Sequence, residues 1–315
     1  MADRVDHHAL VDPSWVEERL GDPKLRILEC SSEARPYDQN HIPGALRLDW
    51  DGDLTNPQTR DLISTEEFER LARRFGITNQ TTVVFYDDLH NLGACHTYWV
   101  FRYFGHDQAV ILNGGRRRWE TERRKLAREV PKVAPTTYKV GRLNPEFRAL
   151  RQDVLRHIGS PDPSAPRFEI PRGHVVLDDR SPAEFDGKVE TAAAYPVRTV
   201  RGGRIPGALN IPFSDFIDND GAFREDEEIK KVLLSKGVTP EKDIVVYTRI
   251  GERSAMTWFV LHDLLGYPKV RNYDGAFTEW GNMVGMPVEH ATHPVRRPVA
   301  AMESAKMARA GRPNP

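Results

Sequence analysis

The chain has 315 residues, 39% hydrophobic and 29% charged, with 45 Lys and Arg against 46 Asp and Glu and a formal net charge of −1. That length fits about two ordinary domains, each able to bury its own core. The even charge balance argues against a dedicated nucleic-acid binder, and no apolar run reaches the roughly 20 residues needed to span a bilayer. The segment Met1–Leu10 is polar and lacks the apolar core of a signal peptide. Two cysteines, Cys30 and Cys95, are too few for a disulfide framework. These features point to a cytoplasmic protein with neither nucleic acid nor membrane as partner.

In chain order, Val83–Tyr86 reads as a buried parallel strand, followed by a polar loop and a helix carrying Tyr98, Phe101, Arg102 and Phe104, which Gly105 closes. A second strand, Ala109–Leu112, ends at Asn113-Gly114-Gly115. The stretch Leu126–Arg142, rich in Pro, Lys and Thr, connects the two halves. Asp153–His157 reads as a helix, Gly159–Gly173 with its prolines as a loop, and Thr191–Gly203 as an irregular insert. Ile244–Tyr247 is again a strand, followed by a loop and a helix with Met256, Phe259, Val260 and Leu264 at helical spacing. Gly266 closes that helix, and a last strand from Val270 ends at Asp274-Gly275. The tail His290–Pro315 is basic and poor in large apolar residues, a composition expected to stay disordered.

The two halves repeat. Gly76, Tyr86, Gly105, Gly114 and Trp119 are matched by Gly237, Tyr247, Gly266, Gly275 and Trp280, each 161 residues later, and Ile-Pro-Gly-Ala-Leu occurs at both Ile42–Leu46 and Ile205–Leu209. Five punctuating residues in one register mark a tandem duplication. The expected fold class is α/β, two copies of one domain, each a parallel sheet flanked by helices. The expected boundaries are 1–140, 141–289 and a tail over 290–315.

In such sheets function gathers beyond the carboxyl ends of the strands. Tyr247 ends a strand there, and Thr248-Arg249-Ile250-Gly251-Glu252-Arg253-Ser254 follows directly before a helix. A tight loop entering a helix converges backbone N–H groups on one point, a nest for an anion or a thiolate. Arg249 and Arg253 add two permanent charges suited to oxyanions, and Gly251 permits the turn. An isolated Arg-x-Gly-x-Arg is ordinarily solvated surface; its place after a buried strand favours anion binding.

The Tyr247–Ser254 loop resembles the active-site loop of the two-domain rhodaneses, the thiosulfate sulfurtransferases. The resemblance extends to Ile42–Ala45, Asp178–Pro182 with Phe185 and Gly187, Ile205–Ala208 and Tyr273–Trp280, and covers roughly residues 8–288. It implies an inactive first domain, whose acidic loop starts at Asp87, and a second domain carrying the site. It implies a small anionic sulfur donor such as thiosulfate, and a thiol or cyanide acceptor. It also implies that residue 248 should be the cysteine that carries sulfane sulfur as a persulfide. Here it is threonine, whose hydroxyl cannot hold a persulfide and has no evident base beside it in the sequence. Thr248 therefore marks the nucleophile's position in a sulfurtransferase fold with persulfide turnover in doubt, whether by natural loss or as a variant of a working enzyme. The alternatives are a catalytically silent anion-binding or regulatory protein and an enzyme rerouted to non-persulfide chemistry.

Other residues weigh less. By the same resemblance, His41 would assist a mercaptopyruvate-type substrate together with a serine that Ile250 replaces, so a structural role is favoured. Arg249 in second place points to the thiosulfate type. Arg180 either faces the cleft or pairs with Asp178-Asp179. Asp274 either approaches the loop or simply forms a turn before Gly275. Cys30 and Cys95 read as small buried hydrophobes and His262 as an exposed helical residue. No Cys/His cluster has zinc spacing and no phosphate-binding fingerprint appears, so neither a metal nor a cofactor is expected.

Overall fold

A computed structural model describes residues 9–159, 170–189 and 199–291. The tail beyond Ala291 and parts of the segments 159–173 and 191–203, read above as tail, loop and insert, lie outside the described residues. The strands are β1 (Leu10–Val11), β2 (Leu25–Cys30), β3 (Ala45–Leu48), β4 (Thr82–Tyr86) and β5 (Ala109–Leu112) in the first half. Those of the second half are β6 (His174–Asp178), β7 (Leu209–Asn210), β8 (Asp243–Tyr247) and β9 (Val270–Asn272). The helices are α1 (Pro13–Glu17), α2 (Arg35–Gln39), α3 (Thr65–Arg74), α4 (Leu92–Tyr103) and α5 (Gly115–Thr121), then α6 (Arg151–His157), α7 (Pro182–Phe185), α8 (Asp226–Ser235), α9 (Glu252–Phe259) and α10 (Ala276–Asn282).

Every strand pairing is parallel, in the order β1-β5-β4-β2-β3 in one sheet and β7-β6-β8-β9 in the other. Where the first half has β1 beside β5, the second has a parallel bridge from Arg148 to Asn272 beside β9, so the two orders correspond. Helices cover both faces of each sheet, which is why Val83–Tyr86 and Ile244–Tyr247 are continuous buried runs rather than alternating ones. The duplication reaches individual hydrogen bonds. The Tyr86 hydroxyl donates to Glu29 and accepts from the Ile42 N–H; the Tyr247 hydroxyl donates to Asp178 and accepts from the Ile205 N–H.

The helices that follow the two loops, α4 and α9, pack against each other and join the halves. Tyr98 meets Phe259 edge to face with centroids 5.0 Å apart, and its hydroxyl donates to Asp263 at 2.8 Å. One buried cluster runs through this contact from Phe68 and Phe101 to Trp258 and Phe259. The helix expected to run through Leu264 holds α-geometry to Phe259 and continues as one π-turn, Val260–Leu264. His262 differs from expectation too. It stacks on Trp258 at 4.6 Å and its Nδ1 donates to the Asp263 carboxylate at 2.9 Å, so it belongs to this junction rather than to open surface.

Candidate active site

The loop after β8 is anchored from beneath. The Thr248 and Arg249 carbonyls accept from the Phe277 and Thr278 N–H groups of α10, at 2.9 and 3.0 Å. Gly251 takes φ 108°, and a Cβ there would lie 2.9 Å from the Asp274 carbonyl oxygen, so only glycine fits the turn. The Ser254 hydroxyl donates to the Gly251 carbonyl at 3.1 Å, and α9 starts at Glu252. Thr248, Arg249, Glu252, Arg253 and Ser254 are all buried, and Ile250 is half-buried.

Arg253 is held from below by Glu184 at 3.3 Å and lies over the Phe213 ring at 5.6 Å. Glu184 is fixed in turn by Ser181, whose N–H and hydroxyl both donate to its carboxylate at the start of α7. Burial, the largest single influence, would raise the Glu184 carboxyl, but Arg253, the two Ser181 donors and Arg180 together hold it below its ordinary range. Glu252 is the reverse case: burial raises its carboxyl.

The loop of the first half differs in one respect. Asp87, the positional counterpart of Thr248, folds its carboxylate back into its own nest, accepting from Leu89 and Asn91 at 2.7 Å, Gly93 at 2.6 Å and Ala94 at 3.2 Å. Burial pushes this carboxyl up to about 7 against the pull of those N–H donors. In the second loop, among the described residues, no side chain accepts from the backbone N–H of Ile250, Gly251, Arg253 or Ser254. The first nest is filled by the protein; the second has no such occupant among these residues.

Asp179 is the residue that sequence reasoning missed. It is fully buried, accepts from the Thr257 hydroxyl at 2.9 Å, and lies against the Thr248 hydroxyl, although neither Thr248 Oγ1 nor Asp179 Oδ1 has an aligned hydrogen-bond partner. Burial pushes its carboxyl up to about 8, with the Thr248 and Thr257 hydroxyls and Arg253 opposing. A carboxyl poised there can exchange a proton with a neighbouring hydroxyl. Its signal in the sequence was the second member of the Asp178-Asp179 doublet at the end of β6.

The other candidates disperse. Arg180 grips Asp178 through two nitrogens, donates to the Gly203 carbonyl at 2.7 Å and covers the Phe277 ring at 4.1 Å, so its charge is spent within the second domain. Asp274 lies against Gly251 through its backbone, while its carboxylate is clamped by Arg148 at 2.8 Å on both oxygens. His41 is buried in the first domain between the Tyr37 and Glu129 carbonyls and stacks on Tyr37 at 4.1 Å. Cys30 and Cys95 are buried free thiols, raised by desolvation and so poor nucleophiles.

Ile250 and Asp274 border a cavity of about 280 Å³ with Trp50, Arg60 and His96 of the first half. Arg60, held by Thr278 at 3.1 Å, brings a further cation to this mouth. Away from it, the ligand atoms of His157, His174 and Asp243 lie within 4.8 Å of one another. The Arg271 guanidinium donates to Asp243 at 3.0 Å and lies 3.3 Å from His157 Nδ1, so a cation already holds that place. Among the described residues no helix is long and apolar enough to cross a membrane.

A chain with two such parallel α/β domains, each with a tight loop between strand and helix, matches the rhodanese-like domain family twice, at residues 12–122 and 167–283. It belongs to the rhodanese-like family. It is 46% identical to the sulfur carrier protein TtuD of Thermus thermophilus over 89% of this chain and 95% of that one. It is 40% identical to a Saccharopolyspora erythraea protein named "Putative thiosulfate sulfurtransferase", over 89% and 96%. Among solved structures it resembles the 3-mercaptopyruvate sulfotransferase SseA of Escherichia coli, with a TM-score of 0.71, 26% identity and coverage of 85% of this chain and 98% of that one. It also resembles the anaerobic ergothioneine biosynthesis enzyme of Chlorobium limicola, solved with trimethyl histidine, with a TM-score of 0.77, 25% identity and coverage of 91% and 72%.

Proposed function

We propose that the 248–254 loop binds a small sulfur oxyanion of the thiosulfate type. With Thr248 in the place that the resemblance assigns to a persulfide-forming cysteine, the anion is held without persulfide turnover. The supporting observation is the contrast between the two loops. The first satisfies its nest with Asp87, whereas in the second no described side chain accepts from the matching N–H groups, and Arg249 and Arg253 are buried residues of the same loop. Such an arrangement favours a dianion. The relatives' names speak of sulfur carriage and thiosulfate sulfur transfer, which fits a donor of this class and a thiol or cyanide acceptor in a cysteine-bearing form. Titration calorimetry with thiosulfate and sulfate tests the reading. Binding that is lost in Arg253→Gln supports it, and heat that is absent from both proteins rejects it.

Asp179 favours a second reading, in which Thr248 Oγ1 attacks the sulfur or phosphorus of an aryl ester as Asp179 accepts the hydroxyl proton and the aryl oxide leaves, and water then cleaves the threonine ester to release sulfate or phosphate. Hydrolysis of an aryl sulfate or aryl phosphate, rising with pH through about 8 and lost in both Thr248→Val and Asp179→Asn, is the result this reading requires.

A further inference from the structure

Between the two loops lies a second cavity, of about 220 Å³. Its walls include Glu33, Asp87 and Asp88 from the first half and Glu252 from the second, with Trp50 and Leu92 as apolar surface. Among the described residues no Lys, Arg or His lines it. Glu33 and Asp88 are exposed at its mouth, and Asp87 is already committed to its four N–H donors.

Glu252 is different. It is 2% exposed, it reaches this cavity from the anion loop, and neither carboxylate oxygen has a hydrogen-bond partner among the described residues. Its Oε1 lies 3.6 Å from Arg253 Nε, beyond hydrogen-bonding distance, and Arg253 is shared with Glu184 at 3.3 Å. Arg253 and Arg249 thus supply charge to Glu252 but no aligned donor, and a buried carboxyl without hydrogen bonds is costly unless a further donor reaches it.

We propose that this cavity is a binding site for a small organic cation, an ammonium group carried on an apolar body. The ammonium pairs with Glu252 and the body lies along Trp50 and Leu92. Two observations choose this class over a metal ion. The carboxylates do not converge: the set of His, Cys, Asp and Glu ligand atoms that closes within 4.8 Å is His157, His174 and Asp243, elsewhere in the second domain. An indole in the wall adds attraction for an organic cation and offers nothing to a hydrated divalent ion. Burial raises the Glu252 carboxyl against the opposing pull of Arg253 and Arg249, and a bound ammonium would add to that pull.

The site is independent of the fate of residue 248, because the test needs no sulfur donor. The full chain is titrated calorimetrically with 2-phenylethylammonium, with uncharged 2-phenylethanol of the same shape, and with magnesium. The expected result is one-to-one binding of the ammonium, at least tenfold weaker binding of the alcohol, and no competition from magnesium. Glu252→Gln should weaken the ammonium tenfold or more. Asp88→Asn, at an exposed residue, should weaken it two- to fivefold. Equal affinity for the alcohol, displacement by equimolar magnesium, or unchanged affinity in Asp88→Asn together with any folded Glu252→Gln overturns the assignment.

Discussion

The Asp179 carboxyl lies against the Thr248 hydroxyl at the floor of the second loop, at the place where the first half sets Cys30 beneath Asp87. The correspondence follows from register: Glu29 pairs with Tyr86 and Asp178 with Tyr247, so the next residues, Cys30 and Asp179, occupy matching positions. Each half therefore places one acidic side chain in this stack, at the loop position in the first and below it in the second. A negative charge at both levels would meet like-charge repulsion in a desolvated site. Threonine at 248 is compatible with a carboxyl beneath it.

This relationship bears on restoring a thiol. Thr248→Cys keeps the side-chain size and puts sulfur at a helix N-terminus beside two arginines, which lowers a thiol's pKa. Asp179 acts in the opposite sense whenever it is ionised. The variant is expected to transfer sulfur from thiosulfate to cyanide, while the Thr248 chain stays at background even with Cys30 and Cys95 replaced. In Thr248→Cys with Asp179→Ser the thiolate should form at lower pH, read from the pH dependence of alkylation. A folded single variant that never accumulates a persulfide with any donor would defeat the expectation.

Asp179 should also mark the pH dependence of stability. Its folded pKa, about 8, lies above the ordinary carboxyl value of 3.8, so between these pH values the folded state binds more protons than the unfolded one. Stability from this group is present below about pH 4 and is lost as pH rises toward 8. Asp179→Asn removes the titrating group and keeps an acceptor for Thr257. Denaturant melts should therefore show the variant gaining on the parent from pH 5 to pH 8. A constant difference across that range would show that Asp179 is ionised throughout.

Much of this architecture was legible in the sequence because parallel strands covered on both faces must be continuous apolar runs, and Val83–Tyr86 and Ile244–Tyr247 are such runs. The 161-residue register likewise put Tyr86 and Tyr247 at equivalent strand ends. What escaped depends on contacts across the fold. Arg180 carries a charge that suits an anion site and Asp274 stands at a strand end near the loop, yet their partners, Asp178 and Arg148, are set by tertiary packing. Asp179 was hidden for the same reason, and Glu252, placed by the sequence in the anion loop, was not legible there as a buried acid. An acid three residues before a Pro, or one at a helix start, reads as a turn or a cap, and only burial shows it as an unusual group.

Arg253 supplies a charge to the loop and is itself positioned by Glu184. Arg253→Gln should weaken sulfate or thiosulfate about tenfold or more, since a charged hydrogen bond in a partly desolvated site contributes roughly 1.5–3 kcal/mol. Glu184→Gln removes the support without touching the donor and should weaken the anion less. Reversal of that order would mean that Arg253 does not meet the ligand.

Asp87 offers the reciprocal experiment. Its carboxylate accepts from four backbone N–H groups, and the bonds from Asn91, Gly93 and Ala94 are buried. Asp87→Ala leaves those donors with no acceptor, and the loss should be about 3 kcal/mol or more, because each orphaned buried donor costs on the order of 1–3 kcal/mol and they relax together. Unlike most core truncations, this one removes an anion from an anion-shaped space. Added sulfate should then recover part of the lost stability in the variant beyond its effect on the parent, by binding the folded state alone. Thermal melts of both proteins across a sulfate series, with chloride at matched ionic strength as control, separate this from general salt effects. Equal sulfate dependence in the two proteins would mean that the emptied loop collapses, and that the nest exists only around its own carboxylate.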